Sequence, residues 1–208
     1  MNDGPNFVEA SVRGDAAALR KALGNELQQV SPAPGRAALV ALCGLPGTGK
    51  SHFAAALKQR TPCVVLGSDR MRKTLVPQPR YTRQEHARVF RAAHQLLETL
   101  LEEGFPVVFD ATNLTARARD PLRDIATRVG APLVLVQFDA PPQLVRQRLA
   151  RRSGGQTSDS YSDADWRIYC RLYPGQEPVN APHFDVDSSR DTSGVIEEVA
   201  RLLEEQAP

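Results

Sequence analysis

One stretch, Gly44-Leu45-Pro46-Gly47-Thr48-Gly49-Lys50-Ser51, has the residue types and spacing G-x-x-x-x-G-K-S. That pattern suits a loop that wraps phosphate. Its glycines let successive backbone N–H groups turn inward toward phosphate oxygens, and a helix starting there adds partial positive charge. Lys50 is placed to reach β- and γ-phosphates, and the Ser51 hydroxyl to ligate a magnesium ion. The phosphate cradle is expected to run from Gly44 to His52. ATP and Mg2+ are the ligands this implies.

Two further groups have the right chemistry. Ser68-Asp69 follows the apolar run Cys63–Leu66, and Arg72 comes three residues after Asp69. Asp69 has the makings of a general base for a hydroxyl attacking a γ-phosphate. It also suits a helix N-cap. Arg72, one helical turn on, is placed either to hold an acidic group of the acceptor or to pair with Asp69. Asp110 ends the run Val107-Val108-Phe109 and is followed by Ala111-Thr112-Asn113. It reads as an acid that orients magnesium through water beside Ser51. Its alternative is a capping or loop-bracing role.

Arginines form two more groups. Arg146, Arg148, Arg151 and Arg152 lead into Ser153-Gly154-Gly155. A basic helix entering a glycine loop suits a lid that brings guanidinium groups against charge developing in transfer. Arg117, Arg119 and Arg123 either track a phosphate backbone or face solvent.

The elements that must hold these groups follow from periodicity. Continuous apolar runs at 37–43, 63–66, 106–110 and 133–138 read as buried strands, with a short strand at 183–186. Helical patterns fall at 52–58, 70–75, 83–103, after Asp120-Pro121, at 142–152, near 163–172 and at 193–205. Asp120 is expected to cap its helix with Pro121 at the first helical position. Residues 153–162 are expected to be a loop. Strands alternating with helices predict an α/β fold with a mostly parallel sheet covered on both faces. Functional side chains then gather at the carboxyl ends of the strands.

Ahead of this core, Val12, Ala16, Leu19, Leu23 and Leu27 recur at helical spacing. Residues 7–29 therefore predict one or two helices, with Gly14-Asp15 as a break and Asp15 as a cap. The division expected is a helical extension and linker at 1–35 and a kinase domain at 36–208, with a lid at about 146–163. With 26 Lys+Arg against 24 Asp+Glu, the chain lacks the global charge of a nucleic-acid coating protein. It has no run near the ~18 apolar residues of a membrane span, and its N-terminus lacks signal-peptide character. Three cysteines without C-x-x-C spacing fit a reducing, cytoplasmic setting. Cys43 and Cys63 read as core residues. His94, between Phe90 and Leu97 on an apolar helix face, reads as a core histidine. Trp166 and Tyr169, at i, i+3 spacing, read as a packing pair, with base stacking as the alternative.

Together, Gly44–Ser51, Ser68-Asp69-x-x-Arg72, Asp110-Ala111-Thr112-Asn113 and the lid arginines resemble the P-loop kinases related to polynucleotide 5′-hydroxyl kinases. The resemblance covers roughly residues 37–152 and implies a P-loop three-layer sandwich. It implies that Asp69 activates the acceptor hydroxyl and that Arg72 contacts the phosphate next to it. It further implies that Arg148 is the lid arginine on the transferring phosphate and that Arg152 is a further lid position. After the lid, Ser158–Trp166 is similar instead to a broad set of uncharacterised bacterial kinases. The wider group includes zeta-toxin-like and antibiotic kinases.

Three functions are therefore expected, in this order. The first is transfer of the ATP γ-phosphate to the 5′-hydroxyl of RNA or DNA. The second is transfer to the hydroxyl of a nucleoside, sugar or antibiotic. The third is an ATP-binding switch without transfer.

Overall fold

The computed structural model describes residues 5–32, 35, 37–153 and 164–205. Five strands, β1 (Ala38–Cys43), β2 (Val64–Gly67), β3 (Pro106–Asp110), β4 (Leu133–Asp139) and β5 (His183–Asp187), form one sheet. Their order is β2-β3-β1-β4-β5, and every pairing is parallel. This is the α/β architecture that the apolar strand runs predict.

Alternation along β1 explains why both faces are covered. Leu39, Ala41 and Cys43 point to one face and Ala38, Val40 and Leu42 to the other, and all six residues are buried. The first face is covered by α1 (Pro5–Leu23), α5 (Arg83–Glu102) and α6 (Ala116–Val129). The second is covered by α3 (Lys50–Arg60) and α9 (Ser193–Glu205), through Phe53, Ala54, Leu57, Val199, Ala200 and Leu203. At the carboxyl end of the sheet, α7 (Pro142–Ser153) and α8 (Trp166–Leu172) add a smaller apolar cluster. It joins Val145, Leu149 and Tyr169 to Leu45 of the glycine loop.

Three local expectations are corrected. Helix α1 runs unbroken through Gly14-Asp15. Asp15 caps nothing there; its carboxylate takes two hydrogen bonds from Arg88 of α5, each 2.7 Å. The break falls at Gly24, whose φ of 47° suits glycine, before α2 (Asn25–Gln28). Helix α6 begins before Asp120-Pro121: Thr115 is the cap, accepting from the Ala118 amide, and Pro121 lies inside the helix. Asp120 instead pairs with Arg123 at 3.0 Å. Last, α4 spans Ser68–Leu75 with Gly67 as its cap, so Asp69 is the second helical residue and not an N-cap.

Helix α5 starts at the cap Thr82, whose side chain accepts from the Glu85 amide, and ends before Gly104 (φ 87°). Ser153, expected to start the loop, is the last residue of α7; the rest of the expected loop and the far part of the lid, at 154–163, lie outside the described residues. Cys43 and Cys63 are buried. Burial pushes their thiols up to about 11 and about 12, which makes them inert core residues. Among the described residues, no helix is long and apolar enough to cross a membrane.

Candidate active site

The glycine loop is built so that only glycine fits. Gly44, Gly47 and Gly49 have φ of 146°, 81° and 99°. A Cβ on Gly44 would lie 2.7 Å from the Phe138 carbonyl oxygen, and one on Gly47 would lie 2.9 Å from Val145 Cγ1. Thr48 closes the loop on itself, its hydroxyl donating to the Leu45 carbonyl at 2.8 Å. The first backbone bond of α3 runs from the Phe53 amide to the Gly49 carbonyl, 3.0 Å. The amides of Lys50, Ser51 and His52 therefore precede the helical ladder and are open to an anion. Pro46 and His52 lie on this rim, and the His52 side chain is exposed.

Lys50 is buried, and its Nζ donates to the Leu45 carbonyl at 2.8 Å. Burial lowers the pKa of its ammonium group; the charges of Asp110 and Asp69 oppose that. Asp110 ends β3 in register with Leu42 of β1 and Gly67 of β2. Burial raises the pKa of its carboxyl group, against the Lys50 charge and a hydrogen bond from the Ser51 side chain. Asp69 and Arg152 act electrostatically on both Lys50 and Asp110. Lys50, Ser51, Asp69, Asp110 and Arg152 thus form one group at the carboxyl edge of the sheet. The Ser51 hydroxyl beside the half-buried Asp110 carboxylate is a hard oxygen pair. That chemistry fits Mg2+, which takes one or two protein oxygens and fills its shell with water and phosphate.

Arg148 sits over the same loop. It donates to the Ser188 hydroxyl and carbonyl, each at 2.8 Å, and to the Gly47 carbonyl at 3.4 Å. Arg148 and Arg152 share one side of α7 by their spacing of four. Arg146 turns elsewhere, with its guanidinium 5.9 Å from the centre of the Trp166 ring, and Arg151 is exposed. Trp166 stacks on Tyr169 at 4.7 Å, so this pair packs as expected.

Arg72 does not take the pairing with Asp69 that its spacing offers. Its guanidinium is buried and donates to Glu85 Oε1 at 2.6 Å, not to Asp69. His86 Nδ1 lies 3.4 Å from it and the Tyr81 ring covers it at 5.0 Å. The second arginine group also separates. Arg119 is buried and donates to the carbonyls of Asn113 and Pro178, at 3.0 and 2.9 Å. Arg123 pairs with Asp120, and Arg117 is exposed.

Sequence reasoning passed over two residues of this neighbourhood. Ser188 follows β5, one residue beyond where the apolar pattern fades. Glu85 stood in a visible Thr82-x-x-Glu85 capping spacing, but its partner Arg72 lies across a loop. A cavity of about 240 Å³ also opens beside the glycine loop. It lies between Asp139 at the end of β4, Pro142 just beyond it, Asp187 ending β5, and Tyr169 and Tyr173.

The comparisons agree with this frame. The AAA_33 family, described as an AAA domain, matches residues 39–167. An L-seryl-tRNA(Sec) kinase of Methanococcus maripaludis is 29% identical over 119 residues, 55% of this chain and 46% of the relative. The chain thus spans less than half the length of that curated relative. The Mycobacterium tuberculosis APS kinase CysC, solved with AMPPNP and APS, aligns with a TM-score of 0.59 at 24% identity. That match covers 84% of this chain and 99% of the other. A gluconokinase from Sinorhizobium meliloti aligns with a TM-score of 0.56 at 18% identity, over 82% and 94% of the two chains. The fold is that of the P-loop kinases, and the chain belongs to the AAA_33 family.

Proposed function

We propose that this protein transfers the γ-phosphoryl group of ATP to a hydroxyl acceptor. The carrying observation is the single group formed by Lys50, Ser51, Asp69, Asp110 and Arg152 under the glycine loop, with Arg148 above it. The loop amides and Lys50 would hold the β- and γ-phosphates, and Ser51 and Asp110 would hold Mg2+. Bound there, the ion would supply positive charge against the phosphate oxygens. Asp69 takes the proton of the attacking hydroxyl. Lys50, Arg148 and Arg152 face the charge that builds during transfer. The cavity beside Tyr169 and Tyr173 adjoins both ends of the loop, since Asp139 follows Phe138 and Asp187 precedes Ser188; it is the seat proposed for the nucleotide base.

For the acceptor, the arrangement favours a small molecule over a polynucleotide 5′-hydroxyl. Arg72, the residue that the polynucleotide reading needs for a neighbouring phosphate, is committed to Glu85. The Arg117–Arg123 group is not a continuous basic track, because Arg119 is spent on two carbonyls. One observation favours the RNA-linked reading: the curated relative is named for a seryl-tRNA.

A screen with γ-labelled ATP tests all of this. Its acceptors are 5′-hydroxyl oligonucleotides, nucleosides, sugars and other small alcohols. Label in a small alcohol supports the favoured reading, and label only in oligonucleotides refutes it. ATP hydrolysis alone, unchanged in Asp69→Ala, would leave a switch.

A further inference from the structure

The Arg72 environment is a complete anion site. Its guanidinium lies on α4, one turn beyond Asp69. The backbone amides of Arg80 and Tyr81 point to the same place, donating at 2.8 and 3.1 Å to Glu85 Oε2. Tyr81 reaches that geometry in the left-handed region, with φ of 55°, a conformation that a bulky residue keeps only where its surroundings hold it. The occupant of the site is the protein's own Glu85 carboxylate, bound by Arg72 at 2.6 Å. The Arg72 and Glu85 side chains are 8% and 9% exposed, so an anion from solvent cannot reach the guanidinium without displacing the carboxylate. Two amides, one guanidinium and a carboxylate make a fully charge-assisted set. Removing one partner from such a buried set leaves the other uncompensated.

We infer that Glu85 is a specificity-determining residue: it fills the anion site next to the transfer base and restricts the acceptor to one uncharged beside its reacting hydroxyl. The inference rests on the reading of Asp69 as that base, because Arg72 lies one turn along the same helix. An acceptor phosphate or carboxylate placed there would meet the Glu85 carboxylate, and like charges at contact are repelled. A neutral alcohol meets no such barrier.

Inorganic sulfate is the probe, titrated calorimetrically into protein whose glycine loop is first saturated with Mg2+ and AMPPNP. Wild-type protein is expected to show no saturable sulfate binding at millimolar concentration. Glu85→Gln keeps the side-chain shape but removes its charge, so a sulfate ion can displace it from Arg72. It should gain one sulfate site at least about tenfold tighter than any wild-type binding. The double variant Arg72→Gln/Glu85→Gln should lose it. Equal sulfate binding by wild type and Glu85→Gln, or a folded Glu85→Gln with no gain, overturns the inference. A readout on wild-type protein covers the case in which Glu85→Gln does not fold. The Arg72 guanidinium ¹⁵N resonances should be unmoved by sulfate, and a saturable shift would refute the filled site. None of these measurements involves phosphoryl transfer, so failure here is distinct from failure of the proposed activity, which the acceptor screen reads.

Discussion

Arg148 of α7 clasps Ser188 at the end of β5 through two hydrogen bonds, one to the hydroxyl and one to the carbonyl, each 2.8 Å. The guanidinium is therefore held over the glycine loop by a strand end that belongs to neither loop nor lid. If Arg148 faces the transferring phosphoryl group, its removal should cost far more than removal of its anchor. Arg148→Ala is expected to lower kcat about 100-fold or more, as loss of a charge stabiliser does. Ser188→Ala leaves the carbonyl bond and should lower kcat only about 2- to 10-fold, the effect of one hydrogen bond. Steady-state kinetics on the two variants checks the order; equal losses would place Arg148 outside the reaction.

Gly44 gives a prediction about the loop itself. A Cβ there meets the Phe138 carbonyl oxygen at 2.7 Å, a backbone atom that β4 holds in place, and φ is 146°. Gly44→Ala should destabilise the fold by about 1–3 kcal/mol and weaken ATP binding, because relief of the clash opens the cradle. Thermal unfolding and nucleotide titration test both effects. Gly14→Ala is the control, since open space surrounds that glycine and its helix favours alanine.

What the sequence made legible is what local pattern encodes. The strands at β1, β3 and β4 and helix α9 appear where hydrophobic periodicity places them. The glycine loop sits between strand and helix as its spacing requires. Asp69 and Asp110 end up near Lys50 because parallel strands must align their carboxyl ends. Pairing across the fold was not legible. Nothing local tells Arg72 to choose Glu85 over the nearer Asp69, or sends Arg119 inward while Arg117 stays exposed. Ser188 was missed for the same reason: its partner Arg148 is forty positions away. Asp120-Pro121 misled because Thr115, a good cap five residues earlier, had already started the helix.

Glu26 carries the link between the N-terminal helices and the site. Its carboxylate accepts from Lys58 of α3 at 2.8 Å and from Arg70 of α4, the residue after Asp69. Arg70 also donates to the Ala22 carbonyl at 2.7 Å. Burial works to raise the pKa of the Glu26 carboxyl group, but the bonds and charges of Lys58 and Arg70 outweigh it and hold it low. A carboxylate held low stabilises the fold above its unfolded pKa, and that stability is lost as acid protonates it. Glu26→Gln should therefore cost about 1 kcal/mol at neutral pH and less as the pH falls. Denaturant unfolding at neutral and acid pH measures this; a pH-independent cost would count against the ion pairs.

His94 should dominate a different part of the pH profile. Its ring lies 5.9 Å from that of Phe90 and 5.8 Å from that of Phe109. Burial, with a contribution from His86, lowers its pKa to about 4, well below the ordinary histidine value of about 6.5. In the folded protein the ring is thus neutral where the unfolded chain already binds a proton. Stability should fall as pH drops from about 6.5 to about 4, by as much as about 3 kcal/mol. Above about 6.5 both states are neutral at this residue and it contributes no slope. His94→Gln removes the titrating group, so its stability curve should be flatter across that window even if it is less stable at pH 7. Chemical denaturation of both proteins at intervals from pH 4 to 7 decides the point: parallel curves would mean that the His94 ring already takes up its proton in the folded core.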